Sequence, residues 1–318
     1  MGDAFGEVTR APAHPPSSTE QPAPSDGPGV ASPVLDPPES DRSDSPVTGW
    51  APWTAPLALV AGIVAAAVGG LVIDLPALAF GVEATKEHTP AGLTIAGTFV
   101  QDLAFVAVAV WFARLGGRVS RAWQFGLRAP GVGWRSAARM IVLLLLGFIV
   151  FSVLWAVIFE PGEDKVLESL GSKQGSALLV LSAALTCVVA PIGEEFLFRG
   201  YIFTALRGWR GTLTAAAITG LLFGGVHLGS APALDLPPLA ALGFGLCLLY
   251  RYTGSLYPGI VTHCLNNCIA FAGLAGWGWS WEAPVLVLGA LGSLWLLARV
   301  CNRAGLIGAV TGFSPPAS

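Results

Sequence analysis

Charged residues are scarce in this chain of 318 residues: they make up 12% of it, whereas hydrophobic residues make up 53%. A soluble globular domain carries about twice that charged fraction, roughly 25%. The scarcity argues against a soluble domain and favours a membrane protein. The charges that are present form no strongly basic face, so nucleic acid is not an expected partner.

Cysteines in metal-binding spacing are also lacking. No two of the five cysteines form a Cys-x-x-Cys pair, so a structural zinc site is not expected. All five fall in apolar stretches, where we interpret them as small packing residues. They are Cys187, Cys247, Cys264, Cys268 and Cys301.

The first 49 residues differ from the rest of the chain. They hold ten of the 24 prolines, with eight acids and two bases, a net charge of −6. A segment of this composition cannot bury enough apolar surface to offset its ordering entropy. The sequence therefore predicts a disordered cytoplasmic tail over residues 1–49, a transmembrane helical domain over residues 50–303 and a short cytoplasmic tail over residues 304–318.

Long apolar runs follow from Trp50 onward, and a spanning helix needs about 20 apolar residues. We predict an all-α, polytopic transmembrane helix bundle of about eight spans. They are Pro52–Ile73, Leu93–Leu115, Ala137–Phe159, Ala177–Arg207, Thr212–His227, Leu236–Tyr250, Leu256–Ala275 and Ala283–Val300. The fourth is too long for a simple span, and Pro191 is expected to kink or divide it. The fifth and sixth are short, which suits helices shielded by their neighbours around a polar cavity.

The arginines predict how the bundle is oriented. They concentrate after the second, fourth, sixth and eighth spans, and the loop after the second span contains no acid. The alternate loops are acidic or neutral, apart from three lysines. The sequence therefore predicts a multi-pass cell-membrane protein with both termini cytoplasmic. Reporters fused after Ser318 and within residues 160–172 are expected on opposite sides, and finding both on one side would contradict this orientation.

Few ionisable residues fall inside the predicted spans. A charge at mid-bilayer costs at least about 2.5–3.5 kcal/mol, so such residues are usually functional. They are Asp102, Glu194, Glu195, Arg199, His227 and His263. At about 1.5 Å of rise per residue, Glu194, His227 and His263 lie roughly 20, 22 and 11 Å above the cytoplasmic ends of their spans. These depths allow one shared cavity within the bilayer.

The segment from Pro191 to Arg199 carries two adjacent glutamates. Glu195 and Arg199 are spaced i,i+4, so they can pair on one helix face. Glu194 points about 100° away from that face and stays free, which makes it a candidate general base. Alternatively, both carboxylates share the arginine as a structural clamp. For Glu195 a structural role is favoured over direct chemistry, and we keep both residues as candidates.

Phe223 precedes His227 by one helical turn on the same face. The adjacent Gly224 and Gly225 are expected to allow a close helix approach. A single histidine in an apolar helix is more often a hydrogen-bonded structural residue. The presence of Glu194 at a similar depth favours the functional interpretation.

His263 and Asn267 lie one turn apart on one face of the seventh predicted span. A histidine and an amide side by side can donate hydrogen bonds to a developing oxyanion. The alternative is a structural hydrogen bond from Asn267 to a neighbouring helix. Asp102 either lines the cavity or pairs with an arginine, and we assign it no role.

Taken in this order, the motifs resemble those of the CAAX-protease and bacteriocin-processing family, also called Abi, which includes the type II CAAX prenyl endopeptidases. The resemblance covers roughly Leu179–Leu274, and it places a protease core at about residues 177–275. No motif position departs from the family's Glu-Glu-x-x-x-Arg, Phe-x-x-x-His and His-x-x-x-Asn. The matching residues are Glu194, Glu195, Arg199, Phe223, His227, His263 and Asn267.

The resemblance implies an intramembrane endopeptidase that acts on a membrane-associated or lipidated protein, such as a prenylated tail or a bacteriocin precursor. Its partners would be the lipid bilayer and the peptide substrate. It also implies that Glu194 and His227 activate a water, while His263 and Asn267 stabilise the oxyanion. A catalytic zinc stays open, since Glu194, His227 and His263 could supply three ligands and water the fourth. We favour the metal-free glutamate mechanism.

Two other functions compete with hydrolysis. Secondary transporters and proton relays also bury Glu, Asp and His residues, but a transporter would show inverted repeats with broken helices in both halves. Here the polar groups concentrate in the fourth to seventh predicted spans. A catalytically silent membrane scaffold would lack Glu194 or one of the two histidines, and all three are present.

Overall fold

The computed structural model describes residues 2, 49–82, 90–115, 121–159, 176–277 and 280–305. Within these ranges the fold consists of helices and short turns, with no β-strand, which confirms the predicted all-α class. Residues 3–48 and 306–318 make up nearly all of the two predicted tails and lie outside the described residues.

Eight long helical segments, numbered α1 to α8, lie at the positions of the eight predicted spans in the described part of the chain. The helix at the seventh predicted span, Leu256–Ala275, is not among the segments that are long and apolar enough to cross a membrane. The fourth consists of four consecutive stretches, Ser176–Ala184, Leu185–Val189, Ala190–Glu195 and Phe196–Phe203, together called α4. The others are α1 Thr54–Ala79, α2 Ala91–Ala113, α3 Trp134–Phe159, α5 Thr204–Gly225, α6 Leu236–Thr253, α7 Tyr257–Leu274 and α8 Glu282–Arg303.

Six segments of the described chain are long and apolar enough to cross a membrane. One of them, Ala177–Gly225, has 49 residues and contains both α4 and α5, which is more than twice what a single crossing needs. The most apolar windows of α3 and α8 are only 6% buried inside the protein, so their side chains face outward. The bundle therefore presents an apolar outer surface, as a multi-pass membrane protein requires.

Pro191 lies where α4 is divided into successive helical stretches, which is one of the two outcomes that the sequence predicted. The stretch Leu185–Val189 forms a π-helical turn, and Pro191 follows within the first two positions of Ala190–Glu195. The backbone at Ala190 is helical, with φ −58° and ψ −48°. A second π-helical stretch, Phe196–Phe203, comes directly afterwards. The glutamate pair therefore lies on a short α-helical stretch between two π turns.

The direction of the chain changes later, near the start of α5. Arg210 and Gly211 leave the helical conformation, and Gly211 has a φ of +77°. Glycine adopts positive φ without the steric penalty that other residues incur. The helix after Gly211 is the fifth predicted span.

Two glycines bring α5 and α6 into close contact. A Cβ atom at Gly220 would lie 2.7 Å from the Ala240 carbonyl oxygen, and one at Gly224 would lie 2.7 Å from that of Leu236. Gly225 has no such neighbour within 4 Å, so its predicted role in a close approach was wrong. Gly220 and Gly224 instead form the small-xxx-small pattern of membrane helix contacts.

The loop between α2 and α3 fixes the start of α7. The Nε atom of Arg128 donates a hydrogen bond to the Gly254 carbonyl over 2.9 Å. The Ser255 hydroxyl donates to the Arg128 carbonyl. These bonds fix the position from which α7 runs, and α7 carries His263.

Candidate active site

Glu195 lies at the centre of the predicted site. Its Oε1 atom accepts a hydrogen bond from Arg199 Nη1 over 2.7 Å, and the side chains of both residues are 0% exposed. The i,i+4 pair that the spacing predicted is therefore present. The same Oε1 atom also lies 3.0 Å from His263 Nδ1, which donates to the carboxylate. Glu195 thus joins α4 to α7 and fixes the orientation of the His263 ring.

Arg199 is held on three sides. Besides Glu195, its Nη2 atom donates to the Gly243 carbonyl of α6 over 3.1 Å. Its guanidinium carbon lies 4.5 Å from the centre of the Phe223 ring, a distance typical of a cation–π contact. A buried arginine is tolerated only with such a partner set.

Gly259 makes the contact between Glu195 and His263 possible. A Cβ atom at Gly259 would lie 2.8 Å from Glu195 Oε2, closer than real Cβ contacts come. The residue lies one turn before His263 on α7, so it faces the same neighbour. A side chain here would displace the Glu195 carboxylate.

Glu194 lies on the other side of the His263 ring. Its Oε2 atom is 3.6 Å from His263 Nε2, a distance of ion-pair range but too long for a hydrogen bond. Its side chain is 13% exposed, compared with 0% for Glu195. Glu194 is therefore the more exposed of the two glutamates.

His227 lies just past the end of α5 and is partly buried. Its Nδ1 atom is 2.8 Å from the Phe223 carbonyl oxygen. A carbonyl only accepts, so Nδ1 donates, and in the neutral ring Nε2 is left as the acceptor. The Phe223 ring centre lies 5.2 Å from that of His227 and 5.5 Å from that of His263, so one aromatic ring contacts both imidazoles.

Asn267 makes the interhelical hydrogen bond that was the alternative to an oxyanion role. Its Nδ2 atom donates over 3.0 Å to the carbonyl of Thr186, in the first π turn of α4. Its Oδ1 atom accepts from Asn266 over 3.3 Å. Because an amide nitrogen carries two hydrogens, Asn267 keeps a second donor. Within the described residues, neither Asn267 nor His227 has a hydrogen bond or an ion pair with Glu194.

Asp102 lies on α2 beside this group and is 2% exposed. A Cβ atom at Gly193 would lie 3.1 Å from both the Cβ and the carbonyl oxygen of Asp102, so α2 and α4 touch one residue before Glu194. Neither carboxyl oxygen of Asp102 has a hydrogen-bond partner among the described residues. The sequence showed only that Asp102 is an acid within a predicted span. The spacing of the motifs did not predict that Asp102 lies beside Gly193.

The proposed zinc ligands do not assemble into a ligand set. Among the residues that the structure describes, no group of three or more His, Cys, Asp or Glu side chains is placed to hold a metal ion. The Nδ1 atoms of His263 and His227 face Glu195 and a backbone carbonyl, respectively.

Residues 176–269 match the family described as type II CAAX prenyl endopeptidase Rce1-like. This segment is Rce1-like. The match confirms the family that the three motifs predicted, and the Rce1-like segment contains all six predicted site residues. No curated protein and no solved structure matches the chain significantly.

Proposed function

We propose that the protein is an intramembrane endopeptidase that hydrolyses a peptide bond in a membrane-associated or lipidated protein. The observation that carries this proposal is the difference between the two glutamates around His263. Glu195 is fully buried against Arg199, whereas Glu194 is 13% exposed and lies 3.6 Å from His263 Nε2. The Rce1-like match supports a peptide substrate and a site within the bilayer.

In the proposed reaction, Glu194 acts as the general base. It takes a proton from a water molecule, which attacks the carbonyl carbon of the scissile bond. His227 offers Nε2 as an additional acceptor for that water. Collapse of the tetrahedral intermediate breaks the C–N bond, and the proton held by Glu194 passes to the leaving amine. The products are one carboxylate and one amine.

The oxyanion of the intermediate needs donors placed in advance. Asn267 supplies its second N–H. His263 already donates from Nδ1 to Glu195, so it donates from Nε2 when the ring is protonated on both nitrogens. Glu195 and Arg199 do not contact the oxyanion in this scheme. They fix the orientation of the His263 ring.

The test uses the purified full-length protein in lipid vesicles, with a prenylated carboxyl-terminal peptide and the same peptide without its lipid. In heavy-oxygen water we expect cleavage of the prenylated peptide, with a single heavy oxygen in the new carboxyl terminus. We expect cleavage to persist after chelation, because the proposed steps are proton transfers between side chains of the chain. About one zinc per chain, lost in both His227→Ala and His263→Ala, would contradict the metal-free scheme. Binding of the peptide without cleavage would support a silent scaffold instead.

A further inference from the structure

Six exposed arginines lie at one end of the helix bundle, and none of them belongs to the candidate active site. One precedes the short helix Ala122–Phe125 between α2 and α3, two lie in the first two turns of α3, one lies at the break in α5, and two lie in the last two turns of α8. Together they are named the arginine rim: Arg121, Arg135, Arg139, Arg210, Arg299 and Arg303.

Contacts around the start of α7 place the first three of these arginines together. The short helix Ala122–Phe125 ends at Gly126, whose carbonyl accepts a hydrogen bond from the Leu256 backbone N–H over 2.8 Å. The Trp134 ring at the start of α3 lies 6.4 Å from the Tyr257 ring at the start of α7. The arginines beside these positions therefore lie at the end of the bundle where α7 begins.

The other three arginines reach the same end through α4, α6 and α8. The Phe203 ring at the end of α4 lies 6.0 Å from the Tyr250 ring near the end of α6, and α5 continues directly from α4. The end of α6 is followed at once by the start of α7. The helix α8 packs against α7 and is joined to it by residues 275–281 alone, so the two helices run in opposite directions. The last turns of α8 therefore also lie where α7 begins.

None of the acids that the structure describes lies at this end of the bundle. Trp50, just before α1, packs against Phe125 with ring centres 5.0 Å apart, so α1 also begins at this end. Three described acids belong to the interior around the candidate site, and three lie at the far ends of α1, α6 and α8. They are Asp102, Glu194 and Glu195, and Asp74, Asp235 and Glu282, respectively. The arginine rim forms no ion pair with any of them.

Exposed tryptophans place the arginine rim at the depth of the lipid headgroups. Trp209 is 54% exposed and Trp295 is 61% exposed. The guanidinium carbon of Arg210 lies 4.8 Å from the centre of the Trp209 ring, and that of Arg299 lies 4.9 Å from the centre of the Trp295 ring. Tryptophans on the outside of membrane helices concentrate at the headgroup level, because their rings are amphipathic. The arginines beside them therefore lie at the level of the lipid phosphates.

We propose that the arginine rim binds the phosphate groups of anionic phospholipids. A guanidinium can donate two parallel hydrogen bonds to a phosphate, which suits arginine to this partner. A zwitterionic headgroup would bring its own ammonium group into a region that already holds six cations without an acid, whereas an anionic headgroup brings only negative charge. Clusters of four to eight basic residues at the ends of membrane helices attract anionic lipids for this reason. The proposal concerns lipid binding alone and does not rest on the proposed function.

Native mass spectrometry of the full-length protein measures which phospholipid remains bound. The protein is released from vesicles made of equal parts phosphatidylcholine and phosphatidylglycerol with identical acyl chains. We expect about fivefold more phosphatidylglycerol than phosphatidylcholine on the wild type, since one arginine near the surface favours an anionic headgroup by about this factor. The triple variant Arg135→Gln/Arg139→Gln/Arg303→Gln should lower this ratio by at least about half.

The matched control removes the same amount of positive charge elsewhere. Lys86→Gln/Lys165→Gln/Lys173→Gln changes the three lysines of the predicted alternate loops, and it should leave the ratio unchanged. A second triple variant, Arg121→Gln/Arg210→Gln/Arg299→Gln, removes the other half of the arginine rim. It gives an independent result if the first variant does not fold.

Thermal unfolding in vesicles separates headgroup binding from other effects of the lipid. The wild type should unfold about 2–4 °C higher in phosphatidylglycerol than in phosphatidylcholine, because a bound ligand stabilises the folded state. High salt should abolish this difference, since it screens exposed charges. Glycerol phosphate, which is the headgroup without acyl chains, should not raise the unfolding temperature in phosphatidylcholine vesicles.

Four results would overturn the proposal. The first is equal binding of the two lipids by the wild type, which would leave the acidic residues among the first 49 as the partner of the arginine rim. The second is an equal loss of phosphatidylglycerol from the lysine control and the arginine variants. The third is a difference in unfolding temperature that persists at high salt. The fourth is stabilisation by glycerol phosphate, which would indicate a site for soluble phosphates.

Discussion

Glu194→Gln is expected to lower kcat/KM for the prenylated peptide by about 10²–10⁴-fold, the usual contribution of a general base. The amide keeps the size of the side chain but cannot accept a proton from the attacking water. The position is only 13% exposed and its Oε2 atom has no hydrogen-bond partner among the described residues, so the change breaks no bond there. The amount of folded protein should therefore stay near that of the wild type.

The matched control for this variant is Glu282→Gln, in the first turn of α8 and not one of the six predicted site residues. It should leave both kcat/KM and protein amount unchanged. In cells, a comparison of membrane proteomes with wild-type protein and with Glu194→Gln should show the uncut substrates accumulating with the variant. A Glu194→Gln protein that retains more than about a tenth of the wild-type rate would remove Glu194 from the role of base.

Arg199→Ala is expected to lower the free energy of unfolding by about 3–5 kcal/mol, because Glu195 would stay buried without its partner. The guanidinium also binds the Gly243 carbonyl and lies over the Phe223 ring, so the loss extends to α6 and α5. Thermal unfolding in detergent and the amount of protein in membranes measure the effect. Activity should fall together with the folded fraction.

Arg210→Ala provides the comparison for an exposed arginine. Arg210 lies at the break in α5, where its guanidinium is 4.8 Å from the Trp209 ring centre. Its removal should change the unfolding temperature little. If Arg199→Ala gave normal protein amounts and normal unfolding but no cleavage, Arg199 would belong to the chemistry and not to the support of Glu195.

The helices and the pairing within one helix could be predicted from the sequence. Apolar runs of about 20 residues define the spans because a bilayer sets their length. The spacing of Glu195 and Arg199 predicts their ion pair because residues four apart share a helix face. The match of residues 176–269 to the Rce1-like family agrees with the motifs on which the resemblance was based.

Contacts between helices could not be predicted in the same way. The hydrogen bond between Glu195 and His263 joins residues 68 positions apart, and it depends on the missing side chain of Gly259. The approach of Asp102 to Gly193 likewise depends on how α2 packs on α4. Helical periodicity predicts on which face of its own helix a residue lies. It does not predict which face of another helix that residue contacts. The catalytic roles of Glu194, His227, His263 and Asn267 stay predictions.

The π turn at Leu185–Val189 bears on how this chain tolerates changes in length. A π turn of this kind is a helix that has absorbed one extra residue. Removing a residue from it would let the segment close into a regular α-helix, so Glu194 would keep its direction. The Thr186 carbonyl, which accepts the hydrogen bond from Asn267 Nδ2, would then no longer occupy its present position. A one-residue deletion at this point is therefore expected to remove the hydrogen bond that joins α7 to α4 while Glu194 and Asn267 keep their own side chains.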